Sequence, residues 1–158
     1  MDRYHYTESG LDNVWLLGGF RTEHDEEYGD LLYIEDVEGL HKVVAETLLM
    51  RKSPLNGAEF KFLRKYCELS QVDAANIIQS NEQSIAKWEK SRDKVVGNRP
   101  AEALFRTFIA RIVGGDELLI DFVKTLNELH ARRSVDEEEI EVSHLIKNEW
   151  HLEMKEAA

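Results

Sequence analysis

The chain has 158 residues, 42% hydrophobic and 32% charged, which allows one ordinary domain or two small ones with a packed core and argues against wholesale disorder. Its formal net charge of −11 at first argues against a nucleic-acid partner. Cys67 is the only cysteine, so there is no internal disulfide framework, and no apolar run approaches the roughly 18 residues a membrane span needs. The opening MDRYHYTESG also lacks the basic-then-apolar pattern of a signal peptide, so a cytoplasmic protein with no membrane partner is expected.

In chain order, Tyr4 to Phe20 reads as extended structure. Tyr4 and Tyr6 alternate with polar neighbours, Ser9-Gly10 signals a turn, and Val14 to Leu17 is a short apolar run ended by Gly18-Gly19. Thr22 to Asp30 is polar and acidic, with a second turn at Gly29, and Leu31 to Ile34 is another strand. A small antiparallel sheet is expected here. Asp36 suits the N-cap of a helix from about Val37 to Arg51, with Leu40, Val44 and Leu48 on one face. Lys52-Ser53-Pro54 breaks it.

Asn56, with Glu59 three residues on, reads as a capping box for a helix from about Gly57 to Glu68, whose inner face carries Phe60, Leu63 and a buried Cys67. Ser70 caps the next helix, Gln71 to Gln79, with Ala74, Ala75 and Ile78 inward. Gln79-Ser80-Asn81 is a turn, and Asn81 caps a helix from Glu82 to about Lys90, with Ile85 and Trp88 facing the core. After a loop from Val95, Pro100 opens a helix to about Val113, with Leu104, Phe108 and Ile112 expected on its core face. Gly114-Gly115 stops it. Asp116 caps another helix to about Arg132, its expected core face being Leu119, Phe122, Val123, Leu126 and Leu129. Asp136 to Glu139 is an acidic run of the kind found in solvated loops. Ile140 to Val142 and Trp150 to Met154 alternate and read as a terminal hairpin that could add to the N-terminal sheet.

The charge is unevenly spread. Residues 1–50 carry 3 basic and 12 acidic side chains, net −9; residues 51–94 carry 9 and 6, net +3; residues 95–158 carry 8 and 13, net −5. The positive block coincides with two short helices joined by a tight turn, LSQVDAANIIQSNEQSIAKWEK from Leu69 to Lys90. That is the layout of a helix-turn-helix that sets its second helix in the DNA major groove. Glu82, Gln83, Ser84 and Lys87 are the exposed positions early in that helix. Gln pairs with adenine through its amide, and Lys with guanine. Gln71, Lys90, Arg92 and Lys94 suit the phosphate backbone. The acidic flanks serve solubility or a basic protein partner.

LSQ, the two alanines, the isoleucine and EQSIAKWEK resemble the lambda-repressor-like (XRE) helix-turn-helix family. With YHYTESGLDNVWLLGGF and PLNGAEFKFLRKYCELSQ, the chain more narrowly resembles MqsA-type (YgiT-family) antitoxin regulators. The resemblance implies a homodimer that binds double-stranded operator DNA, represses its own operon and, for an antitoxin, neutralises a toxin protein; the base contacts it implies fall on Gln83 and Lys87. The chain departs from that pattern twice. Gln79-Ser80-Asn81 stands where the family has Gly-Val-Ser, and Ser9 stands where a zinc-binding cysteine is expected. With Cys67 alone, a four-cysteine zinc site is impossible, so neither metal nor cofactor is expected. The six histidines form no H-x₃₋₅-H pair; His5 with His24 would make at most a weak site. No phosphate-binding loop, dinucleotide fingerprint, nucleophile elbow or H-E-x-x-H is found, so no enzyme is expected.

The sequence therefore predicts an α+β protein: a strand-rich region with a helix over 1–52, an XRE-type domain over 53–133 and a hairpin or tail over 134–158. Its expected function is dimeric, antitoxin-type transcriptional repression. The alternative is a protein-interaction module, toxin-neutralising or adaptor, with DNA binding secondary or lost.

Overall fold

The computed structural model describes residues 3–51, 53–129, 139–146 and 149–153. The protein is mixed α+β, as the sequence predicts. Its chain divides, within helix α1 (Val37–Met50), into two compact units: the residues up to Val44 with those from Glu138 onward, and Ala45–Glu137.

In the first unit, strands β1 (Tyr4–His5) and β2 (Val14–Leu16) pair antiparallel, with Tyr4 opposite Leu16. A short 3₁₀ turn over Thr7–Ser9 links them. Ser9 Oγ donates to the Tyr6 carbonyl (2.8 Å) and accepts from the Leu11 amide (3.1 Å), so the hydroxyl at this position closes a turn. β3 (Phe20–Asp25) and β4 (Gly29–Ile34) form a separate two-stranded sheet, so the polar segment after Gly19 begins as a strand. Its turn is built by Asp25, whose Oδ1 accepts from the amides of Glu27 and Tyr28, and by Gly29 at φ +78°.

The predicted terminal hairpin is present as β5 (Ile140–Ile146) and β6 (Glu149–Leu152), and it does join the N-terminal strands. It joins them in parallel: Val14, Trp15 and Leu16 of β2 lie opposite Ile140, Glu141 and Val142. The alternation places Val14, Leu16, Ile140 and Val142 inside with Leu40 and Val44 of α1. Trp150 Nε1 donates to the carbonyls of Glu35 (2.9 Å) and Asp36 (3.0 Å), just before α1 begins. Asp36 Oδ1 in turn accepts from the Gly39 amide, as expected of a residue capping this helix. Met154, the last residue of the expected hairpin, and Asp136 to Glu138 lie outside the described residues; Glu139 is exposed and pairs with Arg3 at 3.0 Å.

The second unit is helical: the end of α1, then α2 (Gly57–Tyr66), α3 (Gln71–Ile77), α4 (Glu82–Lys90) and α5 (Arg99–Leu129). Its core holds Leu48, Leu49, Leu55, Phe60, Leu63, Ala74, Ile85, Phe105, Ile109 and Phe122, all fully buried. Cys67 is half-buried rather than buried, because α2 stops at Tyr66 and the cysteine is its C-cap. Burial still pushes its thiol up to about 11, which makes it a poor nucleophile at neutral pH.

The two helices expected from Pro100 onward lie on either side of a break at Gly115 (φ +65°, ψ −155°), a conformation open to glycine alone, and share the label α5. The inward face differs from the expected one. Leu104, Phe108, Ile112 and, beyond the break, Val123 are exposed, and Phe105, Ile109 and Ala110 are buried instead; Phe122 is buried as expected, with Leu119 and Leu126 half-buried. The expected end at Arg132 and the side chain of Leu129 lie outside what is described.

Arg106 explains the choice of face. It is fully buried, and its Nη2 donates to the carbonyls of Leu48 (2.9 Å), Leu49 (2.8 Å) and Arg51, while Nη1 donates to Ser53 O (3.3 Å) and Glu102 Oε1 (3.2 Å). The end of α1 leaves carbonyls without intrahelical donors, and one guanidinium serves several of them. Burial pushes the Glu102 carboxyl up and the Arg106 guanidinium down, and each group's charge opposes the other's shift. Turning Leu104 and Phe108 inward would carry Arg106 off these acceptors.

Candidate nucleic-acid interface

The α3–turn–α4 segment is held from both ends. Asn56 caps α2 through the Glu59 amide (2.9 Å), and Glu59 returns a bond to the Asn56 amide (2.8 Å), completing the predicted capping box. Glu59 also pairs with Arg51, itself bonded to the Pro54 carbonyl at 3.0 Å. The turn after α4 packs on this N-terminus: the amides of Gly57 and Ala58 donate to the carbonyls of Lys94 (3.1 Å) and Arg92 (3.0 Å). Gly57 is required there, since a β-carbon would overlap the Trp88 carbonyl oxygen.

α2 and α4 are further tied by a buried ion pair. Arg64 Nη2 donates to Glu89 Oε1 at 2.6 Å and Nε bridges both carboxylate oxygens, while Nη1 donates to the Leu69 carbonyl. Arg64 and Glu89 are both buried, and the pair fixes where α4 sits relative to the loop that begins α3. Sequence reading missed it. The signal was an arginine beside Leu63 and a glutamate four residues after Ile85, charges on faces that otherwise point inward.

Ser70 caps α3 through the Asp73 amide (3.0 Å), and Asp73 returns a bond to the Ser70 amide (2.9 Å). The Ser70 backbone amide first, and its hydroxyl second, hold the Asp73 carboxyl below the usual range. α3 ends at Ile77, two residues earlier than predicted. Ile78 is its C-cap, and Gln79 takes the left-handed conformation at φ +56°. Ser80 N donates to Ala75 O (2.8 Å) and Gln79 N to Asn76 O (3.4 Å), the two crossed bonds of a Schellman motif. Gln79 sits where glycine is usual, and its side chain adds a bond to Asn76 O at 2.9 Å. The end of α2 is built alike: Glu68 has φ +56°, its amide donates to the Lys65 carbonyl and the Leu69 amide donates to the Arg64 carbonyl.

Asn81 then caps α4 through the Ser84 amide (2.8 Å). Ile85 is buried, as expected. Trp88 is half-buried, its ring edge-on to Phe60 at 5.9 Å between centroids. With these residues and Glu89 inward, helical geometry turns Gln83, Lys87 and Lys90 to the opposite side, and all three are exposed. Glu82 is exposed at the first turn and Ser84 is half-exposed beside the cap. Arg92 and Lys94 are exposed on backbone pinned to α2. Gln71 stands apart: its side-chain amide donates to Glu89 Oε2 at 3.2 Å, so it is oriented by the buried pair. Across residues 51–94, exposed Lys61, Lys65, Lys87, Lys90, Arg92 and Lys94 outnumber exposed Glu68, Asp73, Glu82 and Asp93.

His5 and His24 have local partners. His5 stacks on Trp15 and bonds the Asp12 carbonyl (2.7 Å), and His24 pairs with Asp30 at 2.8 Å. His24, Asp30, Tyr4 and Glu8 border an open cavity of about 570 Å³. Among the described residues no group of three His, Cys, Asp or Glu side chains is placed to hold a metal, and no helix is long and apolar enough to cross a membrane. No family model matches the chain, and no curated protein or solved structure gives a significant match.

Proposed function

We propose that this chain is a sequence-specific DNA-binding transcriptional regulator of the cytoplasm, acting as a two-fold dimer with no catalytic step of its own. The observation that carries the reading is α4: capped by Asn81, anchored by Ile85 and the Arg64–Glu89 pair, and presenting Gln83, Lys87 and Lys90 on one exposed face. In this reading Gln83 and Lys87 contact base edges, with Glu82 and Ser84 flanking them in the groove. Lys90, Arg92, Lys94 and the N-terminus of α3 at Gln71 contact phosphates. The net −14 of the remaining blocks repels DNA elsewhere, which favours approach by this face. The resemblance to antitoxin regulators adds autorepression as the role.

The test is a gel shift with a fragment carrying the chain's own promoter. Saturable binding that outcompetes a scrambled fragment and falls steeply with added salt supports the reading; equal affinity for both fragments contradicts it.

A second reading is an interaction module that engages a basic partner such as a toxin. The β3–β4 hairpin favours it: Glu23, Glu26, Glu27 and Asp30 are all exposed there. Co-purification with the product of an adjacent gene, lost when these four are changed to Lys, would support that reading.

A further inference from the structure

Gly57 has no substitute where it stands. A β-carbon there would overlap the Trp88 carbonyl oxygen, so the close approach of α2 to the end of α4 demands glycine. The residue before it is constrained as well. Asn56 closes the capping box of α2, its Oδ1 accepting from the Glu59 amide (2.9 Å) and its own amide donating to Glu59 Oε1 (2.8 Å). Aspartate also caps helices, but here it would set a second carboxylate against Glu59, which is 1% exposed. Packing at one residue and capping at the next thus write an Asn-Gly step into the chain. No other asparagine precedes glycine; the rest precede Val, Ile, Glu or Arg.

Asn-Gly is the asparagine step most open to deamidation. Glycine has no side chain to shield its nitrogen, and it leaves the backbone free to bring that nitrogen onto the asparagine side chain. The Gly57 nitrogen, losing its proton, attacks Asn56 Cγ. The new C–N bond forms as Cγ–Nδ2 breaks, and ammonia leaves with the proton. The cyclic succinimide then takes up water. Opening at Cγ leaves aspartate. Opening at the main-chain carbonyl leaves isoaspartate, with a methylene added to the backbone. Nothing is oxidised or reduced, and water is the sole co-reactant.

The folded chain withholds each requirement. The Gly57 amide donates to the Lys94 carbonyl at 3.1 Å, so the attacking nitrogen is engaged. The pairing continues on both sides, from the Ala58 amide to Arg92 O (3.0 Å) and from the Val96 amide to Leu55 O (3.1 Å), around an antiparallel bridge of Asn56 with Val95. The Asn56 side chain is held on the Glu59 amide, and the residue is 7% exposed, which keeps water from it.

We propose that Asn56–Gly57 is a covalent modification site, a succinimide-forming pair that the fold holds unreactive, so that the chain deamidates here when the N-terminus of α2 opens. Neither product recloses as before. Aspartate puts a carboxylate against Glu59 in a buried place, and isoaspartate shifts the Gly57 amide off the Lys94 carbonyl. Opening is thereby recorded irreversibly. Under the proposed function, the turn that carries Arg92 and Lys94 loosens with it, and damaged chains leave the promoter.

The test reads mass and hydrogen exchange rather than DNA binding, so its result is separate from that of the gel shift. The full chain is incubated at neutral pH with and without denaturing urea. Conversion at each asparagine is followed by peptide mass spectrometry, with isoaspartate told from aspartate by enzymatic methylation. In urea Asn56 should convert ahead of every other asparagine, and Gly57→Ala, which need not fold for this arm, should abolish that lead. Without urea Asn56 should convert at least about a hundredfold more slowly, since the reaction waits on a sparsely populated open state. At urea concentrations below the unfolding transition, its rate should rise in step with hydrogen exchange at the Gly57 amide. Equal rates with and without urea, a Gly57→Ala chain that keeps the fast conversion, or conversion that does not follow exchange at Gly57 would each overturn the inference.

Discussion

α4 and α5 are both amphipathic by pattern, yet the sequence discloses the inner face of one and hides that of the other. In α4 the apolar residues Ile85 and Trp88 occupy one side, the cap at Asn81 sets the start, and polar side chains fill the rest. In α5 two apolar stripes run side by side, and a buried arginine decides between them. Hydrophobic spacing locates a face only when a single face is apolar. Where two are, the choice falls to polar groups whose partners lie far away in sequence, here the carbonyls at the end of α1.

The largest way to test this contrast is to exchange stripe for stripe. Phe105→Ala should cost about 3–5 kcal/mol in urea denaturation at any protein concentration, because it empties the core beside Phe60, whose ring stacks on it at 4.0 Å. Phe108→Ala should cost far less, because Phe108 is 44% exposed. Equal losses would mean that both stripes are internal.

Arg64→Ala should cost a similar 3–5 kcal/mol by leaving Glu89 buried and unpaired. It should weaken DNA binding as well, since α4 and Gln71 both lean on that carboxylate. Stability within about 0.5 kcal/mol of the parent would show that the pair is not what fixes α4.

The caps around α4 are worth less. Asn81→Ala should cost about 1 kcal/mol by removing the acceptor for the Ser84 amide. Gln79→Gly should gain up to about 1 kcal/mol, because the left-handed backbone at φ +56° disfavours a side chain. A loss on Gln79→Gly would mean that the side-chain bond to Asn76 outweighs the backbone strain.

The smallest expected effect lies in the other unit. His41 accepts or donates a bond with Tyr6 Oη at 2.9 Å, and burial pushes its pKa below the usual 6.5. The unfolded chain therefore takes up a proton at His41 before the folded one does. The stability this contributes is complete above the unfolded value and is lost as pH falls from there through the folded pKa. Melting temperature should fall on acidification below pH 6.5, and His41→Gln should flatten that slope; an unchanged slope would remove His41 as its source.

Much of the fold was legible because its signals are local. The capping boxes at Asn56 and the caps at Ser70 and Asn81 depend on residues three apart, and the alternation of β5 and β6 is readable within a few residues. What was hidden depends on distant partners: the parallel pairing of β2 with β5, the Arg64–Glu89 pair, and the carbonyls gathered by Arg106. The exposed face of α4 was legible for the same local reason as its caps. The involvement of Gln71 with Glu89, 18 residues away, was not.

The most direct measurement is fluorescence anisotropy of the parent and of Gln83→Ala/Lys87→Ala on the promoter fragment and on a scrambled fragment at the same salt. The double variant should lose at least about tenfold in affinity for the promoter, with a much smaller change on scrambled DNA, because the bases and not only the backbone are contacted. If the double variant, folded as the parent is, binds the promoter as tightly as the parent does, the exposed face of α4 does not read DNA.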